Sequence, residues 1–148
     1  MSGNPLRTRL AAWMVLLLAS PAWADRTSPP PRTPPPQGPV CPLRAGWRFA
    51  GHYLCAQGET ALTLRVLEVR GTSVRAEFAF AHAPTAAAGR YTLRGTCLGD
   101  EVTLAPEAWV QRPAGYIMVG MRGALAAGGA LYEGAITHAS CGGFRVQR

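Results

Sequence analysis

The sequence predicts an all-β protein whose one folded domain is an eight-stranded antiparallel up-and-down barrel, with a β-sandwich as the alternative. Hydrophobic and polar residues alternate with a period of two along most of the domain, which is typical of strands with one buried face. Turn residues separate these runs at intervals of roughly 8–14 residues, the spacing of sandwiches and barrels. Short connections favour pairing between neighbouring strands, and closure removes exposed edges, so the barrel is preferred.

Residues 1–24 have the layout of a secretory signal peptide. Arg7 and Arg9 precede an apolar run over residues 10–19 that is too short to span a bilayer, and Ala22 and Ala24 are the small residues of a cleavage site. We therefore expect cleavage after Ala24 and an exported protein, periplasmic or secreted, with no transmembrane segment in the mature chain.

Residues 25–40 form a Pro-rich linker that contains two Pro-Pro-Pro triplets. Such a segment favours extended polyproline II and cannot bury hydrophobic surface. We interpret it as a semi-rigid spacer, with a ligand for a polyproline-binding module as the alternative. Residues 41–148 then form one domain, which is long enough for one modest core.

Eight segments of the domain alternate between hydrophobic and polar residues and are predicted to be strands. Trp47 and Phe49 share a face in the first, and Phe78 and Phe80 share a face in the third. We expect a flexible loop over residues 83–89 and a longer loop over residues 105–114, which would hold Trp109 over one barrel end. The predicted strands are residues 46–55, 60–70, 73–82, 90–95, 101–104, 116–125, 130–137 and 144–147.

The domain contains four cysteines, an even number that indicates two disulfides in an exported chain. Four cysteines allow three pairings. We predict Cys55–Cys141, which would join the first strand to the last, and Cys41–Cys97. A metal site is the competing interpretation, but the chain has no C-x-x-C or C-x-x-H pair, so we predict no metal.

The chain has a formal net charge of +7, and all of its basic residues are arginine. Arginine recognises phosphate and carboxylate, but the same excess follows from the codon usage of a GC-rich genome. The arginines are scattered singly, which argues against nucleic acid as a partner. We expect a monomer whose partner is an envelope component, a protein or a small ligand.

No nucleophile motif or carboxylate pair indicates catalysis, so we predict no catalytic residues and no cofactor. Trp109, Arg112 and Tyr116 are the candidate ligand-binding residues, because an arginine beside aromatic rings suits an anionic or sugar-like ligand. Gln57 and Gly58 could lie at the same rim as Arg112 and Tyr116. An enzyme built on His52, His82 and His138 is an alternative, since a barrel could bring all three to one rim.

The residues Gly46-Trp47 at the start of the domain, with Arg145 and Arg148 at its end, resemble the barrels of lipocalins and avidins. In those barrels a basic residue near the end covers the tryptophan of the first strand. The resemblance implies the architecture and an arginine over the indole ring of Trp47, while binding of lipid or biotin does not follow from it.

Tyr53-Leu54-Cys55 and Cys141 are similar to the disulfide frame of bacterial periplasmic inhibitors of c-type lysozyme. The segment from Gly89 through Arg90 and Tyr91 to Thr92 looks like the loop with which those inhibitors plug the lysozyme cleft. The chain departs from their pattern, since Ala88 stands where they have serine and lysine is absent. The positive charge would also repel a basic lysozyme.

The run over residues 51–64 also resembles a domain of uncharacterised secreted bacterial proteins, which implies the fold and the export but no activity. The expected function is therefore a non-catalytic secreted binding module of the bacterial envelope. Inhibition of a lysozyme-type wall hydrolase through Gly89, Arg90 and Tyr91 is one alternative. An enzyme with a histidine rim site is another.

Overall fold

A computed structural model describes residues 38–148, which form a closed barrel of eight antiparallel strands. Each strand pairs with its neighbours in sequence, and the first strand pairs with the last. The predicted fold class is confirmed. The predicted signal peptide and most of the predicted linker lie outside the described residues. The strands are β1 Arg48–Cys55, β2 Gly58–Arg70, β3 Ser73–His82, β4 Ala87–Leu98, β5 Glu101–Gln111, β6 Met121–Ala126, β7 Leu131–Ile136 and β8 Cys141–Gln147.

The interior of the barrel is filled by the hydrophobic residues that the alternation placed on one face. Phe49, Phe78, Leu93 and Val146 are fully buried at the centre. The ring of Phe78 stacks on that of Tyr91, with centroids 4.7 Å apart. An eight-stranded barrel is only just wide enough for such side chains, so they leave the ends and the outer wall as places for a ligand.

Interior glycines allow the sheet to coil tightly enough to close. A Cβ atom at Gly95 in β4 would overlap the backbone carbonyl of Thr103 in β5, and one at Gly51 in β1 would overlap that of Arg145 in β8. Only glycine permits strands to approach this closely at a bend.

One end of the barrel, here called the closed end, is covered by the chain that precedes β1. The Trp47 carbonyl oxygen accepts a hydrogen bond from the Val66 N–H (2.9 Å), and the Gly46 N–H donates to the Val66 carbonyl oxygen (2.8 Å). The guanidinium carbon of Arg148 lies 3.8 Å from the centre of the Trp47 ring. The arginine expected over the indole is therefore Arg148. The Cys41–Cys97 disulfide ties this segment to β4, and Cys55–Cys141 ties β1 to β8, so both predicted pairings are confirmed.

The largest error in the predicted strands concerns β5. Residues 105–114 were expected to be a loop, but β5 continues to Gln111 and stays paired with β4. In the described structure β6 pairs with β5 only along Glu101–Leu104. Pro106 is tolerated because it lies beyond the β6 ladder and beside a register shift between Thr92 and Leu93.

The strands on either side of β5 also differ from the prediction. β4 begins at Ala87 rather than at residue 90, because Ala87 and Ala88 pair with the end of β3. β6 begins at Met121 rather than at residue 116, so the loop between β5 and β6 spans residues 112–120. None of the helices in the described chain is long and apolar enough to cross a membrane.

Candidate functional site

A recess of about 240 Å³ opens at the end of the barrel opposite Trp47, here called the mouth. Three connections meet there: the β1–β2 turn, the loop over residues 112–120 and the β7–β8 turn. Its walls combine phenol, amide, hydroxyl and imidazole groups with apolar surface. The lining residues are Tyr53, Cys55, Gln57, Gly115, Tyr116, Ile117, Val119, His138, Ser140 and Cys141.

The loop over residues 112–120 is folded into the mouth and held there by Tyr91. The buried hydroxyl of Tyr91 donates a hydrogen bond to the carbonyl oxygen of Val119 (2.9 Å) and accepts one from the Val119 N–H (3.1 Å). Burial raises the pKa of Tyr91 well above its ordinary value, so the phenol remains neutral. Tyr116 stacks on Phe80 with ring centres 5.1 Å apart. These contacts hold the loop in place where β6, which begins only at Met121, does not pair with β5.

The β1–β2 side of the recess presents neutral hydrogen-bonding groups. The Gln57 amide donates to the hydroxyl of Thr60 (3.2 Å), which in turn donates to the carbonyl oxygen of Gly58 (3.3 Å). Burial raises the pKa of Tyr53 to about 12, which keeps its hydroxyl protonated. This wall therefore offers a phenol and an amide without a charge.

The β7–β8 turn supplies an imidazole in a defined tautomer. The Ser140 N–H donates to Nδ1 of His138 (3.2 Å), and the Ser140 hydroxyl lies 2.8 Å from the same nitrogen. Because Nδ1 accepts the backbone hydrogen bond, the neutral ring carries its proton on Nε2. His138 therefore brings a hydrogen-bond donor, the Nε2–H group, to the lining of the recess.

The three residues predicted to bind ligand lie in the same part of the barrel but in different surroundings. Tyr116 lines the recess, as the sequence suggested. Trp109 was expected in a loop, but it lies half-buried in β5 with its ring 5.1 Å from that of Tyr91. Arg112 lies over Trp109, with its guanidinium carbon 5.9 Å from the ring centre. Trp109 therefore packs against Tyr91, the residue that holds the loop over residues 112–120, and does not line the recess.

The segment compared with a lysozyme-inhibitor loop is part of a strand. Gly89, Arg90 and Tyr91 all belong to β4 and pair with β3. Gly89 is buried because Phe80 and Pro113 occupy the space where a side chain would lie. Tyr91 is 1 % exposed, so of the three only the side chain of Arg90 is available to a partner.

The structure does not gather the three histidines into one site. His138 lines the recess, whereas His52 lies on the outer wall, 4.0 Å from the Glu59 carboxylate. His82 is buried under Thr85, whose hydroxyl lies 2.9 Å from Nδ1 of the ring. Within residues 38–148, no group of three His, Cys, Asp or Glu side chains is placed to hold a metal ion.

Sequence reasoning placed Gln57 at the same rim as Tyr116, but it gave Ser140 no role in a site. Gln57 and Ser140 both lie within two residues of a cysteine of the predicted Cys55–Cys141 bridge. Residues that flank the two halves of a disulfide must share one end of the fold. This signal adds Ser140 to the rim that contains Gln57.

Comparison of the chain with protein-family models, with curated proteins and with solved structures finds no match. The architecture is that of a closed eight-stranded antiparallel barrel. The side chains of the mouth are therefore the features that indicate a function.

Proposed function

We propose that this protein is an exported, non-catalytic binding module that takes a small, uncharged, hydroxyl-bearing ligand, such as one sugar ring, into the mouth of the barrel. The observation that carries the proposal is the lining of the recess. Hydrogen-bonding side chains converge on it from three separate connections, and the ten lining residues include no Asp, Glu, Lys or Arg.

The chemistry of the lining favours a neutral ligand with hydroxyl groups. Phenol, amide and serine hydroxyl groups each donate and accept, which matches the alternating needs of sugar hydroxyls. A charged ligand would lose its hydration without an opposite charge to replace it. Tyr116, Ile117 and the Cys55–Cys141 bridge supply apolar surface for the carbon face of such a ring.

The size of the recess limits the ligand. Pockets for drug-sized molecules occupy roughly 300–1,000 Å³, whereas this one is about 240 Å³. A single ring or a chain terminus fits this space, and a lipid tail of the kind bound inside larger barrels does not. The filled interior supports the same conclusion, since Phe78, Phe80 and Tyr91 occupy the barrel beneath the mouth.

Two features of the chain support export. Both disulfides lie in the described domain, and such bonds persist in oxidising compartments outside the cytoplasm. The signal-peptide layout of residues 1–24 is the second. Detection of a mature chain that begins at Asp25 in a periplasmic or culture fraction would test this part.

The binding proposal is tested by NMR titration of the protein with a panel of neutral monosaccharides, polyols, amino sugars and sugar acids. We expect saturable shifts at Gln57, Tyr116 and His138 for neutral members. Gln57→Ala and Ser140→Ala should each weaken binding by roughly fivefold to tenfold, the value of one good hydrogen bond. Gln147→Ala is the matched control, because Gln147 is exposed near the closed end.

Two results would refute the proposal. One is that no neutral member of the panel shifts the resonances of the mouth. The other is that Gln57→Ala and Gln147→Ala affect binding equally. Inhibition of a lysozyme that Arg90→Ala abolishes and Gln57→Ala preserves would instead support the alternative of a hydrolase inhibitor.

A further inference from the structure

A second recess, of about 300 Å³, lies on the outer wall near the closed end, whereas the mouth is at the other end of the barrel. Five polar or charged residues from β2, β3 and β4 line it, namely Glu68, Arg70, Ser73, Arg75 and Arg94. Three guanidinium groups therefore face one carboxylate and one hydroxyl. The scattered arginines of the sequence form a basic cluster here, because strand pairing places Arg75 opposite Arg94 and Arg70 opposite Ser73.

Two of these guanidinium groups are held in place from outside the recess. Nε and Nη2 of Arg75 donate to Oε2 of Glu107 (3.3 and 3.0 Å), and the same atoms of Arg94 donate to Oε1 (2.9 and 2.7 Å). Glu107 does not line the recess. These contacts leave Nη1 of both arginines available to another acceptor.

The carboxylate that positions the pair stays ionised over the pH range in which proteins work. Hydrogen bonds from Arg75 and Arg94 lower the pKa of Glu107 to about 2. The third arginine, Arg70, pairs with Glu68, and its side chain is 83 % exposed. It can therefore turn toward a ligand at little cost in buried contacts.

We propose that this recess binds a phosphate monoester. A tetrahedral dianion offers several acceptor oxygens that point in different directions. Guanidinium groups that approach from three strands can therefore bind it better than they can bind a planar carboxylate. The Ser73 hydroxyl adds a neutral donor. The space exceeds that of one phosphate group, so the molecule that carries the phosphate also has room.

The outer wall provides a comparison site with a different charge balance. Glu101, Thr103 and Arg122 line a depression between β5 and β6, where one arginine faces one carboxylate. This depression lacks the excess of positive charge. Arg122→Gln thus removes one positive charge from the same wall of the barrel without touching the proposed site.

The test is a titration of the protein with inorganic phosphate at low ionic strength, followed through the Nε–Hε signals of arginine. We expect Arg70→Gln and Arg94→Gln each to weaken phosphate binding by roughly tenfold, the value of a hydrogen bond to a charged group. Arg122→Gln should change it by less than about twofold, because Arg122 lies on β6 and does not line the recess. Acetate should bind more weakly than phosphate.

Arg94→Gln also removes a contact to Glu107, so thermal unfolding of each variant is measured alongside binding. Arg70→Gln keeps the Glu107 contacts, and its effect on phosphate therefore reports the site alone. Equal losses in Arg70→Gln and Arg122→Gln, or equal affinity for acetate and phosphate, would overturn the proposal. So would the absence of saturable binding.

The source of the phosphate is distinguished by two further arms. Glycerol 3-phosphate represents a soluble ester, and vesicles with and without phosphatidic acid represent a lipid headgroup. Binding to phosphatidic acid vesicles that glycerol 3-phosphate displaces identifies a lipid source. Binding of the soluble ester alone identifies a free one, and both results support the phosphate site.

Discussion

At the closed end of the barrel Trp47 lies under Arg148 and Leu43 is buried, whereas at the mouth Gln57 and His138 border an open recess. Each end carries one disulfide. Cys97 at the closed end is fully buried, while Cys55 and Cys141 both contribute to the wall of the recess. The comparison shows how a barrel with a filled interior can still have an open recess at one end.

The difference follows from how the two ends are covered. The closed end is covered by the segment before β1, in which Leu43 and Trp47 pack against the core and Trp47 makes a cation–π contact with Arg148. The mouth is covered by the loop over residues 112–120, whose backbone depends on the side chain of Tyr91. The recess at the mouth opens beside this loop.

Removal of either disulfide is expected to have the largest effect and to separate stability from binding. Cys41→Ala with Cys97→Ala, and Cys55→Ala with Cys141→Ala, should each lower the free energy of unfolding by roughly 4 kcal/mol, because their loops of 56 and 86 residues are similar on a logarithmic scale. Only the second pair should change ligand binding at the mouth. Denaturant unfolding and NMR titration measure the two effects, and a binding loss confined to the first pair would contradict the comparison.

Tyr91→Phe should cost more than Tyr132→Phe, although both remove one buried hydroxyl. The Tyr91 hydroxyl makes two bonds to the Val119 backbone, whereas that of Tyr132, toward the closed end, donates once to the Val102 carbonyl oxygen (3.1 Å). We expect losses of about 2 and about 1 kcal/mol in denaturant unfolding. Hydrogen exchange should rise in residues 112–120 only in Tyr91→Phe, and unchanged exchange there would show that the loop does not depend on Tyr91.

Arg148→Ala tests the cover of the closed end. Loss of the cation–π contact with Trp47 should lower the free energy of unfolding by about 1 kcal/mol. Arg145→Ala is the matched control, since its ion pair with Glu133 is half-exposed and should be worth less than about 0.5 kcal/mol. Equal losses in thermal unfolding would mean that the indole contact contributes no more than a surface ion pair.

The smallest expected effect concerns the wall between the two ends and depends on pH. Hydrogen bonds from Arg75 and Arg94 lower the pKa of Glu107 from 4.5 to about 2. The ionised carboxylate therefore stabilises the folded state above pH 4.5, and this stability is lost as the pH falls toward 2. Between these values the wild type should lose more stability than Glu107→Gln. Parallel stability curves for the two proteins would show that Glu107 is not coupled to folding.

Much of the fold could be predicted because the information was local. A period of two assigns Phe49, Phe78 and Val146 to the interior without knowledge of their neighbours. The pairing of Cys55 with Cys141 followed from a first strand that must meet the last in a closed barrel. An arginine over Trp47 was implied by the resemblance to lipocalin and avidin barrels, which left Arg145 and Arg148 as candidates, and the structure assigns this role to Arg148.

The extent of β5 and the course of the loop after it were decided only by the tertiary structure, because some strands pair for part of their length. Pro106 and Pro113 suggest a loop, yet β5 continues to Gln111 because β4 supports it after β6 has ended. Residues 116–120 alternate like a strand, but both backbone groups of Val119 bond to the Tyr91 hydroxyl instead of a neighbouring strand. The sequence by itself determined which face of each strand is buried, since that depends on residues two positions apart. Where the loop enters the mouth, and which arginines meet on the wall, depend on the stagger between strands, which period-two alternation does not encode.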